Sequence, residues 1–284
     1  MVDYMLVNSK NILNAAKMNK YAIAHFNINN LEWTRFILEE CNRLKTPVIL
    51  GVSESAIDYM GGYYTVANLV KSLISDLKIN IPVILHLDHG KKVESCIKAI
   101  DAGFTSVMID ASTYPITENI KMTKRVVEYA KKHDVTVEAE LGHVGSEADK
   151  SLIKELYTEV DAAKKFVEET KIDSLAPAIG NAHGLYTGKI ELDFERIKEI
   201  AKITNVPLVL HGASYIPDDM LKKAVKSGIN KVNINTELQI AWANNVKSFI
   251  EQNQDIYDPR KIIKAGEKAI KSIIKQKLEI LNRN

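Results

Sequence analysis

Eight short apolar runs, each followed by a longer amphipathic stretch, limit what this chain can fold into. The runs are YAIAHF (21–26), PVILGV (47–52), PVILHL (82–87), TSVMID (105–110), VTVEAE (135–140), DSLAPAI (173–179), VPLVLH (206–211) and NKVNIN (230–235). They are six or seven residues long and rich in β-branched side chains, so they read as buried strands. The stretches between them carry helical spacing, as in Leu31 to Leu44, Val93 to Ala102 and Ile120 to Ala130. Two further helices, Thr236 to Ile250 and Pro259 to Leu281, end the chain. Buried strands alternating with helices imply parallel pairing and closure, and the length suits eight such units. An open doubly wound sheet is the rival, but it usually carries a glycine-rich turn after its first strand; here that turn reads NINN. The expectation is an α/β fold, a (β/α)8 TIM barrel with extra C-terminal helices, as a single domain over 1–284. GYYTVANLV (62–70) and the polar, Gly-containing segment from Leu141 to Val160 read as the longest irregular connections.

The composition supports one large core and excludes some partners. Hydrophobic residues make up 46% of the 284, enough for a barrel-sized core. The net charge is only +2, with both signs interspersed, which argues against nucleic-acid and membrane partners. There is no run of 18 apolar residues, and the opening MVDYMLVNSK is too polar for a membrane span or a leader peptide. Cys41 and Cys96 lie in helix-like stretches without disulfide or metal spacing, which points to a reducing, cytoplasmic setting.

Barrel enzymes assemble their sites at the C-terminal ends of the strands, and here those ends are polar. The second strand ends in Ser53 and Glu54, the third in Asp88 and His89, the fourth in Asp110 and the fifth in Glu140. The sixth leads to Asn181 and His183, the seventh to His211, the eighth to Asn233 and Asn235. A lone histidine at a strand end is more often a hydrogen-bonded core residue than a ligand. Three of them on three strands at one rim suit a catalytic zinc site with an open position. His86 reads as a packing residue or a partner to the site, His133 as solvated, and His25 and His143 as ambiguous. Asp110 and Glu140 either cap the following segments or face a metal cluster. Asp88 and His89 are strand neighbours, so both reach one site only if the chain turns at Gly90; a carboxylate there is a candidate acid or base.

The loops after the seventh and eighth strands, the usual phosphate site of a barrel, read HGAS (211–214) and NINT (233–236). Gly212 allows backbone amides to approach an anion, Ser214 adds a hydroxyl, and the following helix N-terminus favours negative charge. Ser214 and Thr236 are equally good as ordinary helix caps.

Assembled, these motifs resemble the class II, metal-dependent fructose-bisphosphate aldolase family, which includes tagatose-bisphosphate aldolases. The resemblance runs through FNINNLE (26–32), GVSESAIDYMGGY (51–63), HLDHG (86–90), AGFTSVMIDAS (102–112), VEAELGHVG (137–145), LAPAIGNAHG (175–184), LVLHGAS (208–214), KVNINTE (231–237) and YDPRK (257–261). It implies a TIM barrel in which His89, His183 and His211 bind a catalytic Zn²⁺ and Asp88 is the catalytic acid. It implies a second divalent ion near Asp110 and Glu140, and a monovalent cation. Gly184, Gly212, Ala213, Ser214, Asn233, Ile234, Asn235 and Thr236 match segments that hold dihydroxyacetone phosphate. Ser53 matches a contact to the glyceraldehyde-phosphate half, and Arg260 sits in a motif that reaches the other phosphate. The implied partners are a sugar bisphosphate and further copies of the chain, in a cytoplasmic homodimer or homotetramer.

Three departures stand out. The family's mobile loop places a glutamate two residues after a Gly-Gly pair; here the segment reads GSEAD, so Ala148 takes that place and Glu147 falls one residue early. Ser55 replaces a usual Gly, and Thr113 a usual His. Glu147 is the carboxylate expected to move the C3 proton. No lysine ends the sixth strand, which favours metal over Schiff-base catalysis. The expected reaction is the reversible cleavage of fructose 1,6-bisphosphate in glycolysis and gluconeogenesis. The alternatives are the tagatose epimer and a non-catalytic barrel that keeps metal and phosphate.

Overall fold

The structure is a computed structural model and describes residues 6–142, 144, 157–184 and 190–282. Eight strands pair in chain order and close into a barrel: β1 Ile23–Asn27, β2 Val48–Ser53, β3 Val83–Gly90, β4 Ser106–Ile109, β5 Thr136–Leu141, β6 Ser174–Pro177, β7 Leu208–Leu210 and β8 Ile229–Ile234. Every neighbouring pair is parallel. Helices α2 Leu31–Arg43, α4 Tyr63–Asp76, α5 Val93–Ala102, α6 Ile116–Lys131, α7 Val160–Thr170, α8 Phe194–Ile203 and α9 Asp218–Ser227 follow the first seven strands in turn. A short α3, Glu54–Tyr59, precedes α4, and α10 Thr236–Gln252, α11 Pro259–Lys264 and α12 Glu267–Leu281 complete the chain. The barrel with additional C-terminal helices is therefore as the sequence leads one to expect.

The two faces of each strand do different work. Val48, Leu50, Val52, Val83, Leu85, Leu87, Val137 and Ala139 point outward and join the helices in one apolar core. The alternate positions point into the barrel, where an additional N-terminal helix, α1 Lys10–Asn19, closes the lower end. Its Leu13 and Ala16 pack on Ile23, Ile49 and Ile84 near the starts of the first three strands. Above that apolar plug the inward residues are polar and buried: His25, Asn27, His86, Asp88, Glu138, Glu140, Lys231 and Asn233.

Three expectations need correction. The 62–70 stretch is not irregular: most of it is the start of α4, capped at Gly62, with Val66, Ala67, Val70 and Ile74 buried at helical spacing. The final helix is two, because Gly266 starts a new one. A Cβ on Gly266 would meet the Trp242 indole at 2.0 Å, and that indole N–H donates to the Ile263 carbonyl, so the break is packed in place. The third concerns β3: its chain turns one residue earlier than expected, at His89.

Candidate metal centre and active site

The site begins with a strand irregularity. The register of β3 against β4 shifts between Leu87 and Gly90, and His89 adopts a left-handed φ of 54°. A non-glycine residue there is uncommon and costs energy that packing must offset. The shift is what lets two consecutive side chains, Asp88 and His89, face one cavity. His89 Nε2 lies 3.9 Å from Asp88 Oδ1.

The three rim histidines converge. The His89 ring centroid lies 4.9 Å from that of His183 and 4.6 Å from that of His211, and the latter two are 5.7 Å apart. One nitrogen from each falls within 4.8 Å of the others. Hydrogen bonds orient two of them. His211 Nε2–H donates to Glu138 Oε1 at 2.9 Å, so Nδ1 faces the cavity as an acceptor, 3.3 Å from the Asn233 amide. His89 Nδ1–H donates to Asp110 Oδ2 at 2.9 Å, and its buried Nε2 has no partner among the described residues. A carboxylate on the far nitrogen of an imidazole fixes the tautomer and orientation of a ligand. Burial, with the other two histidines adding to it, pushes His183 down to about 3. Burial opposes a charge on His89, but Asp88, the hydrogen bond to Asp110 and Glu140 together push it up to about 9. A donor set of three imidazoles suits Zn²⁺ with an open position, and binding there displaces the His89 proton.

Asp110 and Glu140 form a second group with His89, again within 4.8 Å. Asp110 also accepts from the Ser112 hydroxyl at 2.7 Å. Glu140 is buried, and its Oε2 has no partner among the described residues. Burial and, after it, the Asp110 charge push the Glu140 carboxyl up to about 8.

Asp88 is held from two sides: Asn27 donates to Oδ2 at 2.8 Å and Asn233 faces Oδ1 at 3.5 Å. Burial opposes its ionisation, but the surrounding imidazoles and Lys231 hold it well below the usual carboxylate range. Asp88 therefore stands as a carboxylate beside the imidazoles, able to accept a proton.

Beneath the rim lies a network that the sequence reading missed. Lys231 and Glu138, both buried, pair at 2.6 Å. Lys231 also donates to His86 Nε2 at 3.2 Å, which leaves the His86 proton on Nδ1 to donate to the Ser106 hydroxyl at 2.8 Å. The chain Ser106–His86–Lys231–Glu138–His211 thus aims one rim histidine. Its signal in the sequence is periodicity. Glu138 lies two residues before Glu140, and Lys231 two before Asn233, so each shares a face with a rim residue. His133 is exposed, as expected.

The cavity above has a volume of about 140 Å³. It is lined by Asp88, His89, His183, Gly184, His211, Gly212, Ser214, Asn233, Asn235 and Thr236 among the expected residues, with Asn27 in addition. Gly212 is required there: its φ is 63° and a Cβ would sit 1.9 Å from the Ala182 carbonyl. Ser214 accepts from the Asn235 and Glu237 amides at 3.2 and 3.3 Å, so its hydroxyl caps α10. The Ala213 and Ile234 side chains lie instead in the apolar core, leaving only their backbone to face a ligand. Ser53 caps α3 and lies outside the cavity lining, with its hydroxyl 3.1 Å from that of Ser55. Arg260 is an exposed residue paired with Asp258 at 2.8 Å and does not enter the cavity. Glu147 and Ala148 lie outside the described residues, as does His143. Wider clefts occur at the barrel base, around Lys10 and Asp173, away from the histidines.

The family model for class II fructose-bisphosphate aldolase matches residues 7–284. The chain belongs to the class II fructose-bisphosphate aldolase family. The chain is 49% identical over 271 residues to a fructose-bisphosphate aldolase of Geobacillus stearothermophilus, covering 95% of this chain and 94% of the relative. It is 46% identical over 272 residues to a 6-phospho-5-dehydro-2-deoxy-D-gluconate aldolase of Bacillus subtilis strain 168, covering 96% and 94%. Among solved structures, the YdjI aldolase of Escherichia coli K12 superposes with a TM-score of 0.84 at 35% identity, covering 98% of this chain and 97% of that one. Members of the family act on sugar phosphates. No helix among the described residues is long and apolar enough to cross a membrane.

Proposed function

We propose that this aldolase reversibly cleaves fructose 1,6-bisphosphate into dihydroxyacetone phosphate and glyceraldehyde 3-phosphate, in the cytoplasm and as a homo-oligomer. The observation that carries the reading is Asp88, fixed by two asparagines, beside three imidazoles that each bring one nitrogen within 4.8 Å of the others. His89, His183 and His211 would hold a divalent cation, Zn²⁺ by donor type. When bound, that cation supplies Lewis-acid stabilisation for the negative charge that cleavage leaves on the ketone-phosphate half.

In cleavage Asp88 accepts the C4 hydroxyl proton. The C4–O bond becomes a carbonyl, the C3–C4 bond breaks, and its electron pair remains on the ketone half. Glu147 then delivers the proton to C3; in condensation both transfers reverse. Gly184, Gly212, Ser214, Asn233, Asn235 and Thr236 receive the phosphate of dihydroxyacetone phosphate at the start of α10. Asp110 and Glu140 offer a second cation position. Ser53 and Arg260 lie outside this cavity, so a contact of either with the aldehyde half would be made beyond it.

A second reading has support of its own. Relatives almost as similar as the fructose-bisphosphate aldolases are named 6-phospho-5-dehydro-2-deoxy-D-gluconate aldolases, and the tagatose epimer differs from fructose only at C4. The test is a coupled cleavage assay with all three substrates. Fructose 1,6-bisphosphate is expected to give the highest kcat/KM, and a tenfold preference for either competitor overturns the choice.

Two further outcomes follow from the assignments. Ser214→Ala should raise KM for dihydroxyacetone phosphate and also lower stability by about 1 kcal/mol through the lost cap. Asn233→Ala should likewise raise that KM. Lower stability with an unchanged KM for Ser214→Ala would leave the hydroxyl only its capping role. Glu147→Gln should slow deuterium exchange at C3 of dihydroxyacetone phosphate, and Ala148→Glu should speed it. A misplacement of about 1 Å costs roughly 10²-fold, so a base one residue early makes the native enzyme slow at this exchange. Native exchange in Glu147→Gln assigns the base elsewhere.

A further inference from the structure

His25 occupies the centre of the barrel directly beneath the catalytic carboxylate. It is fully buried, and neither ring nitrogen has a hydrogen-bond partner among the described residues. Buried polar groups are nearly always bonded, because an unmade bond costs the full desolvation of the group. An imidazole left this way, where an apolar ring would fit, points to a partner nearby. The nearest ionisable oxygen is Asp88 Oδ2, 3.8 Å from His25 Nε2. Asn27 already donates to that same oxygen.

The surroundings are built to hold the ring in this place. A Cβ on Gly51 would lie 1.8 Å from His25 Nε2, so only glycine leaves room for the imidazole. His86 meets it edge-on, with centroids 5.6 Å apart and the ring planes at 77°. His86 cannot serve as its partner, since both His86 nitrogens are engaged by Ser106 and Lys231. Lys231 in turn is committed to Glu138.

We propose that His25 is a positioning residue for Asp88: with Asn27 it fixes Oδ2 from inside the barrel, so that Oδ1 is the oxygen presented to the substrate hydroxyl. A movement of about 1 Å brings Nε2 within hydrogen-bond distance of Oδ2, a shift that a small rotation of the carboxylate provides when substrate engages Oδ1. Burial holds the imidazole down to about 3 against the pull of Asp88, so it stays neutral. It donates one N–H and takes no proton, and the proton accepted from substrate stays on Asp88. The inference rests on the reading of Asp88 as the group that exchanges the C4 hydroxyl proton.

That division of labour gives a test that separates positioning from scaffolding. C3–H exchange on dihydroxyacetone phosphate alone needs no Asp88, whereas cleavage does. The zinc-loaded enzyme and its His25→Leu, His25→Gln and Asp88→Ala variants are compared in both reactions, with zinc content measured by mass spectrometry. The cleavage substrate is the sugar phosphate that the native enzyme turns over fastest. His25→Leu should lower kcat for cleavage by about 10- to 100-fold, with KM, zinc content and C3 exchange within about twofold of native. His25→Gln, which restores an N–H of similar reach, should recover most of the loss. If His25→Leu does not fold, His25→Asn, whose amide is too short to reach Asp88, takes its place with the same expected loss. Native kcat in the leucine or asparagine variant overturns the proposal, as does a parallel loss of exchange and cleavage, or a glutamine variant no better than the leucine one. An active Asp88→Ala overturns the reading of Asp88 and this inference together. An inactive Asp88→Ala beside a fully active His25→Leu overturns the inference alone.

Discussion

Alanine at Asp88 is expected to lower kcat for cleavage by about 10²–10⁴-fold, the usual worth of a positioned acid or base. KM and zinc content should change little. The carboxylate makes no hydrogen bond to any of the three histidines, and its oxygens are held by Asn27 and Asn233, so its removal leaves the ligand orientations to Glu138 and Asp110. A group that acts only in the transition state lowers kcat and kcat/KM together. Steady-state kinetics on the zinc-loaded variant, with a melting curve as control, decide the matter. A near-normal kcat would leave Asp88 a structural residue that keeps His25 and Asn27 company.

Removal of metal should abolish cleavage, and zinc should restore it. Two imidazoles are already oriented by carboxylates on their far nitrogens, with the near nitrogens turned inward. Borohydride in the presence of substrate should have no effect, because among the described residues no lysine lines the cavity. Lys231 points into the barrel, but it is 1% exposed and bound to Glu138 at 2.6 Å. Borohydride inactivation would sink the metal reading outright. The same geometry gives Glu138→Gln a graded effect: the loss of an orienting carboxylate typically costs 10–100-fold in metal affinity, read by competition with a fluorescent chelator. Here the cost should lie toward the upper end, since the variant also strands the buried Lys231 ammonium.

The barrel and its rim were legible in the sequence because both depend on local pattern. A buried parallel strand is a short β-branched run, and the residue that follows it lies at the barrel mouth whatever the neighbouring strands do. That logic places Asp88, His89, His183, His211 and Asn233 around one cavity. It fails at 62–70, where Gly62 and two tyrosines read as a loop. The helix there is held by Val66, Ala67, Val70 and Ile74 against the core, a tertiary preference that overrides local propensity. It fails again at Gly266, where the break exists because the Trp242 indole, from another helix, fills the space of a side chain.

The sequence by itself determined the fold, the residue types at the rim and the order in which they reach it. The tertiary structure decided which groups support them. The turn at His89 is set by pairing between β3 and β4, and no single strand encodes it. The Lys231–Glu138 pair joins residues 93 positions apart; each alone is a charged residue in an apolar strand, and only closure of the barrel makes the pair. His25 reads in the sequence as an ambiguous histidine because its role depends on Asp88 above it and on the missing side chain of Gly51 beside it. Buried polar groups take their meaning from partners, and in a closed barrel the partners lie on other strands.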